Sequence, residues 1–409
     1  MRITQILNKQ HLGWHFYKHW LVQGKAKIQD TGAEAVLTKH GIKVKDANKY
    51  MKDEYFKEIR VDETDRITVI GEKALEPIID NFHERPLLTY GDENVLLEGL
   101  TQAKILTNTV QIQEGLPSTF HIKDIPKEIN RRVKKAILGA HVFDAEQQKL
   151  AKIKDPEKPA WNFPRIYGIT PERVFKLLIT KLLNIIETST NLTLVRERYL
   201  AENLYFSLPF ERNGDLIQFQ LLGDLVLLSE KPLSPITHEK TNEYELPNIF
   251  PIQPTITLNQ TQNYDLETLY PIKKGAPKCH PHTLFINFNK ETVKNLYEEK
   301  VTEEQIFGRT LLKTFTAAAS YAKTQYGDAV KKLPTPVTLQ AIQTDGQKFY
   351  FGVLQLNTLD VDSDQDRNIW YQTPALNLFS KCAYELGKPV LENYDRNVIN
   401  HIVTFYNNV

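Results

Sequence analysis

The sequence predicts a mixed α/β (α+β) fold, a central mixed sheet with flanking helices and an extended N-terminal arm. Three observations predict it. Apolar residues recur at helical spacing in several segments of three to six turns. Between them lie alternating aromatic and aliphatic runs, joined by residues that tolerate tight turns. The two kinds of segment alternate along the chain, as layered α/β folds require.

The 409 residues are 41% hydrophobic and 10% aromatic, which suffices for a sizeable core. Lys and Arg (51) nearly cancel Asp and Glu (50), so the whole molecule lacks the positive field of a protein threaded through nucleic acid. Two cysteines, Cys279 and Cys382, are too few for a secreted disulfide framework or a four-thiolate zinc site. No apolar run approaches the roughly 20 residues of a membrane span.

Residues 1–29 contain no acid, carry Arg2, Lys9, Lys18, Lys25 and Lys27, and place Ile3, Leu7, Trp14, Tyr17 and Leu21 on one helical face. This is either a mitochondrial targeting segment or a basic arm that stays on the protein. Residues 30–85 mix charges without clear period and read as an extended segment; Lys39, Lys43 and Lys45 in it are candidate RNA or partner contacts. Residues 86–160 form a helical region. Asp92 is the expected N-cap of a helix over 93–107, and Asp124 that of a second helix with Pro126 in its first turn and Gly139 near its end. The second helix carries Arg131, Arg132, Lys134 and Lys135, which either grip phosphates or form a solvated face.

A Pro-rich passage then precedes a mixed α/β domain over 161–409. Thr170 and Pro171 open an apolar helix through Ile186. Asn213-Gly214 joins two alternating runs into a hairpin. Residues 230–281 are expected as a surface excursion. "PHTLFINFN" reads as a strand, and Thr302 with Gln305 forms a capping box for a helix through Tyr326, with Leu312, Phe315, Ala319 and Ala322 on one face. Strands over 336–343 and 347–357 meet at Asp345-Gly346, with Phe349 and Phe351 on one face and Tyr350 and Gly352 on the other. A helix over 393–406 ends the chain.

Chemical motifs are few. Asp360, Asp362, Asp364 and Asp366 alternate like calcium ligands, but Gln365 and Tyr371 stand where an EF-hand needs Gly and a bidentate Glu. They are expected to form a solvated loop. Cys279, His280 and His282 are potential zinc ligands, yet the two histidines are expected to straddle a strand start and point to opposite faces, unsuited to one ion. The order helix, strand, hairpin, strand over 302–357 is similar to a restriction-nuclease-like core, whose metal chemistry would need an Asp and then, on the following strand, a Glu-x-Lys where this chain reads Gln355, Leu356, Asn357. No catalytic, metal or cofactor residues are assigned; a metal-dependent RNA-processing protein of that fold, active or degenerate, is the alternative reading.

The stretches "LLEGLTQAKILTNTVQIQEGLP", "PHTLFINF", "SYAKTQYGDAVKKLPTPVTLQAIQTDGQKFYFGVLQLNT" and "CHPHTL", spread over about 85–380, resemble a mitoribosomal family: that of large-subunit protein thirty-seven and its paralogue named for programmed cell death. The resemblance implies a non-catalytic structural component of the mitochondrial large ribosomal subunit, in the matrix and ribosome-bound. It further implies contacts with other large-subunit proteins, a heterodimer with the paralogous member, and peripheral contacts with mitochondrial rRNA.

Overall fold

The computed structural model describes residues 32–44, 81–150, 152, 166–238, 241–295, 297 and 299–409. The arm, Lys45 and most of the Pro-rich passage lie outside the described residues. The chain divides into two units, Met1–Ile79 and Asp80–Val409. The first shows helix α1 (Ala33–Lys39), which has no buried residue. The second runs, in chain order, through β1 (Phe82–Tyr90), α2 (Gly99–Leu106), β2 (Thr109–Val110), α3 (Lys127–His141), β3 (Gln148–Lys149), β4 (Tyr167–Gly168), α4 (Pro171–Glu187), α5 (Leu192–Arg196), β5 (Arg198–Arg212), β6 (Asp215–Ser229), β7 (Asn259–Asn263), β8 (His280–Asn287), α6 (Glu303–Tyr326), β9 (Lys332–Thr344), β10 (Lys348–Thr358), β11 (Asn368–Gln372), β12 (Leu376–Asn377), β13 (Lys381–Glu385), β14 (Lys388–Glu392) and α7 (Arg396–Asn407).

The expected mixed α/β architecture is observed. Ten strands share one sheet in the order β2-β11-β10-β9-β8-β6-β1-β7, with β12 added on β10 and β5 on β6. The period of two along each strand sends successive side chains to opposite layers. Leu225, Leu227, Phe285, Ile342, Phe349, Phe351 and Val353 face one core, with α3, α4 and α7 over it. Val226, Leu228, Leu284, Ile286, Ala341, Tyr350 and Leu354 face the other, beneath α2 and α6. Each fully buried Leu or Phe contributes roughly 1.5–3 kcal/mol.

Several local rules hold as read. Asn213 (φ 47) and Gly214 (φ 86) form the turn between β5 and β6. Thr302 and Gln305 make a reciprocal capping box at α6, and Thr170 with Pro171 starts α4. Asp345 Oδ1 accepts the N–H groups of Gln347 (2.9 Å) and Lys348 (2.7 Å), closing the β9–β10 turn around Gly346 at φ 90.

Others are corrected. Asp92 caps no helix: its Oδ1 accepts the N–H of Leu222 at 3.0 Å on β6, so the chain turns from 93 to 98 and α2 starts only at Gly99. Asp124 gives way to Pro126 as N-cap of α3 and accepts from Asn400 Nδ2 at 2.7 Å on α7. The 230–281 passage is partly built into the sheet, since β7 pairs with β1 and Leu258, Tyr264 and Tyr270 are buried. Helix α6 has no solvent face over most of its length; every residue from Gln305 to Ala322 is buried. At its first turns it meets α2 so closely that a Cβ on Gly308 would stand 2.5 Å from the Gly99 backbone.

Strand β6 sets the geometry of the centre. Its first half pairs with β1 in parallel (Leu216–Phe219) and its second half with β8 antiparallel (Leu225–Ser229), while β5 runs along it from Arg198 to Arg212. The carboxyl ends of β1 and β8 therefore converge over residues 222–224.

Candidate functional site

At that convergence four charges are gathered under the sheet. Lys313 of α6 is 1% exposed; its Nζ lies 2.5 Å from Asp92 Oδ1, 2.8 Å from the Leu222 carbonyl and 3.9 Å from Asp224 Oδ2. Arg309, one turn earlier, donates to the carbonyls of Asp92 (3.2 Å) and Asn287 (3.1 Å) and to Gln343 Oε1 (3.3 Å). Two cations thus meet two carboxylates, the arrangement buried charges need. Burial pulls the Lys313 ammonium down to about 8, helped by Arg309 and opposed by Asp92 and Asp224. Burial would raise the Asp92 carboxyl, but the Lys313 and Arg309 charges outweigh it and hold it low. Asp224, more enclosed, is raised by burial. Sequence reading missed this cluster. The available signal was Arg309 and Lys313 at i, i+4 on a helix rich in Ala and Thr, where no polar stripe could carry them to water.

The metal-like motifs resolve differently. Asp360 accepts Lys331 Nζ at 3.0 Å, Asp366 accepts Lys332 Nζ at 2.8 Å, and Asp362 takes the Asn213 N–H at 3.0 Å. Asp364 is 97% exposed, with Arg367 at 3.8 Å. The loop is therefore not merely solvated: three of its carboxylates tie it to β9 and to the β5–β6 turn, each toward a different partner. Among the described residues no three His, Cys, Asp or Glu side chains are grouped to hold a metal. His280 meets Tyr321 Oη at 2.5 Å, under the α6 layer, whereas His282 donates from Nε2 to the Asn408 carbonyl at 3.0 Å and accepts from Thr283 at Nδ1 (2.8 Å). Burial and the Arg198 charge push His282 down to about 3. In the nuclease-like position, Gln355 imitates a backbone edge: its Oε1 accepts the N–H groups of Ile236 (2.7 Å) and Thr237 (3.0 Å), and its Nε2 donates to the Thr237 carbonyl (2.8 Å).

The predicted contact residues are placed as follows. Lys39 and Lys43 are exposed in the first unit. On α3, Arg131, Arg132, Lys134 and Lys135 all face outward while Ile129, Val133, Ala136, Ile137 and Ala140 are buried. They are not equivalent. Arg132 Nη1 donates to Thr188 at 2.9 Å, and Lys134 stands over the Tyr394 ring at 5.2 Å. Arg131 and Lys135, with Lys127 one turn before, form an i, i+4, i+8 stripe that enters no ion pair or hydrogen bond among the described residues.

Comparison with known proteins gives the likeness. The chain is 30% identical over 296 residues to large ribosomal subunit protein mL37 of Rattus norvegicus, covering 69% of this chain and 64% of that protein. To mL37 of Gallus gallus it is 28% identical over 309 residues, covering 72% and 66%. This chain is similar to the large ribosomal subunit proteins mL37 over 69–72% of its length. It spans just under two thirds of the length of those relatives. The family described as mitochondrial 28S ribosomal protein S30 (PDCD9) matches residues 230–409. That description bears a small-subunit designation, whereas the mL37 proteins are large-subunit proteins by name and match more of this chain than its C-terminal part. At the centre of the sheet, Gln355 and the Asp92–Lys313 pair fasten elements to one another.

Proposed function

We propose that the chain is a structural component of the mitochondrial large ribosomal subunit, held in the matrix on the ribosome, where it supports translation without catalysing a reaction. Similarity to the mL37 proteins over 69–72% of the chain is the observation that carries this reading. The internal use of polar groups supports its non-catalytic part, since the residues a catalyst would present are spent on structure: Arg309 on two carbonyls and Gln343, His282 on Asn408, Gln355 on the 236–237 backbone. Near-zero net charge favours a peripheral position bounded by other large-subunit proteins, including a paralogous partner, over one threaded through rRNA. Peripheral rRNA contact falls to the Lys127, Arg131 and Lys135 stripe, with Arg132 and Lys134 at its sides. Like charges one turn apart repel unless an anion lies across them. Residues 1–29 serve import or stay on the protein as a basic arm, the segment up to Ile79 serves partner contact, and the body is the unit Asp80–Val409, whose sheet takes in β1 and β2.

Mitochondrial lysate run on a density gradient tests the reading: the chain comigrates with the large subunit, and appearance only in the free-protein fractions refutes it. Changing Arg131, Arg132, Lys134 and Lys135 together to Gln lowers the salt concentration at which the protein leaves the particle. An unchanged release profile removes α3 from the rRNA contact.

A further inference from the structure

Strand β8 is followed by α6 and then by β9, which pairs with it in parallel from Thr283–Gln340 to Asn287–Thr344. Outside the carboxyl ends of these two strands, between the start of α6 and the β9–β10 turn, lies a cavity of about 600 Å³, within the range of small-ligand sites. Phe288, Val293, Val301 and Ile306 give it apolar walls. Tyr350 lines it as well, and is the exceptional residue. Its side chain is 2% exposed, with the ring set edge-on to Phe307 at 5.4 Å, yet its hydroxyl has no hydrogen-bond partner among the described residues. Burying a hydroxyl without a partner is unfavourable, and a partner brought into the cavity from outside the chain relieves it.

The groups around the cavity define what that partner is. Burial, and after it the charges of Glu303 and Asp345, keep the phenol protonated far above its usual range, so its oxygen lies in a negative field. Such a field favours a ligand that presents an N–H donor there. The rim has the opposite sign. Lys348 is bound to Glu303 at 2.9 Å and Lys290 to Asp345 at 2.6 Å, and these four charges cancel in pairs. Lys294, Lys300 and Glu299 are exposed and enter no ion pair among the described residues, so four lysines face three carboxylates and one positive charge is left over. That balance suits one phosphate group rather than a polyphosphate. The start of α6 contributes nothing to it, because Thr302 and Gln305 already cap the helix and Glu303 and Glu304 fill its first turn. A flat apolar body with N–H donors on one edge and a phosphate at the other end is a nucleotide. We propose that this cavity binds a nucleotide, its base between the apolar walls with a donor edge on the Tyr350 hydroxyl and its phosphate on Lys294 and Lys300. A free nucleoside monophosphate and an unstacked nucleotide of single-stranded RNA share this chemistry. The site is independent of the ribosomal reading above.

Titration of the purified full-length chain with each of the four nucleoside 5′-monophosphates, and separately with a single-stranded RNA octamer of mixed sequence, tests it. At least one probe binds saturably. Tyr350→Phe weakens that binding about fivefold, the loss of one hydrogen bond, and Lys294→Gln with Lys300→Gln weakens it about tenfold and makes it less sensitive to salt. An octamer that binds tenfold or more tighter than the best monophosphate identifies a nucleotide within a strand, and a smaller ratio identifies a free one. Tyr350→Phe unfolds at the same or a higher urea concentration than the wild type, because the hydroxyl makes no contact within the fold. No saturable binding of either probe at millimolar concentration, binding unchanged in either variant, or a destabilised Tyr350→Phe chain overturns the proposal. No particle enters the experiment, so its failure leaves the ribosomal reading standing, and failure of the gradient test leaves this site standing.

Discussion

Lys313→Met probes the buried centre with the least change of shape. The substitution keeps the length and apolar stem of the side chain but removes the ammonium, leaving the Leu222 carbonyl without its 2.8 Å donor and Asp92 without its 2.5 Å partner. An orphaned buried acceptor costs about 1–3 kcal/mol, and a broken buried ion pair up to about 5. Against this, the wild type holds an ammonium whose pKa is depressed from 10.5 to about 8, a penalty on the charged form of roughly 3 kcal/mol that methionine escapes. The expected net loss is therefore about 1–3 kcal/mol at pH 7, read as a shift of the urea midpoint at constant slope. The pH dependence gives the sharper test. Between pH 8 and 10.5 the unfolded chain keeps the lysine proton that the folded chain has released, so the unfolded state binds more protons and stability from this group rises with pH. The advantage of wild type over Lys313→Met grows by up to about 1.4 kcal/mol per pH unit across that window. A difference that is flat or shrinks there refutes the assignment of a desolvated lysine, and strict additivity with Asp92→Asn refutes the pair, for which a coupling of about 0.5–3 kcal/mol is expected.

Three further outcomes follow from named contacts. Gly346→Val combines a φ of 90 with a Cβ that would stand 3.1 Å from His141 and 3.2 Å from Val174, and costs on the order of 3 kcal/mol in urea unfolding, with less protein reaching particles. Gly308→Ala forces α6 off the Gly99 backbone and lowers stability by about 1–3 kcal/mol, whereas Gly275→Ala, with open space at its Cβ, shows at most the cost of its positive φ. His282 has a folded pKa of about 3 against 6.5 unfolded, so the stability difference between wild type and His282→Asn falls as pH drops below 6.5, by up to about 1.4 kcal/mol per unit, and is constant above it.

What could be read from sequence was what local chemistry determines. The Thr302–Gln305 capping box, the Thr170-Pro171 start and the Asn213-Gly214 turn are fixed by residues within four positions of one another, and each appears where expected. Strand β7, Asn-Gln-Thr-Gln-Asn, has no apolar residue and exists because β1 offers it an edge. Strand β1 carries a proline and several charges before Leu87, and only its last four residues meet β6. Asp92 looks like an N-cap in isolation; Leu222, 130 residues away, claims its carboxylate first. The outward placement of Arg131 and Lys135 is legible from period alone, whereas the burial of Lys313 is not, because it depends on distant elements covering every face of α6.

The buried centre also closes the place where such a sheet would open. In open α/β sheets a ligand crevice forms where strands part at their carboxyl ends. Here β1 and β8 part from β6 at such a point, with Asp92 after one and Asn287 ending the other. The space between them is filled from α6. Arg309 satisfies the Asp92 and Asn287 carbonyls and Lys313 the Leu222 carbonyl, so the groups that would greet a ligand already have covalently tethered partners. Displacing those partners would leave two buried cations unpaired, at several kcal/mol each, more than a small polar ligand returns through one or two hydrogen bonds. The fold therefore favours a rigid centre over a ligand crevice.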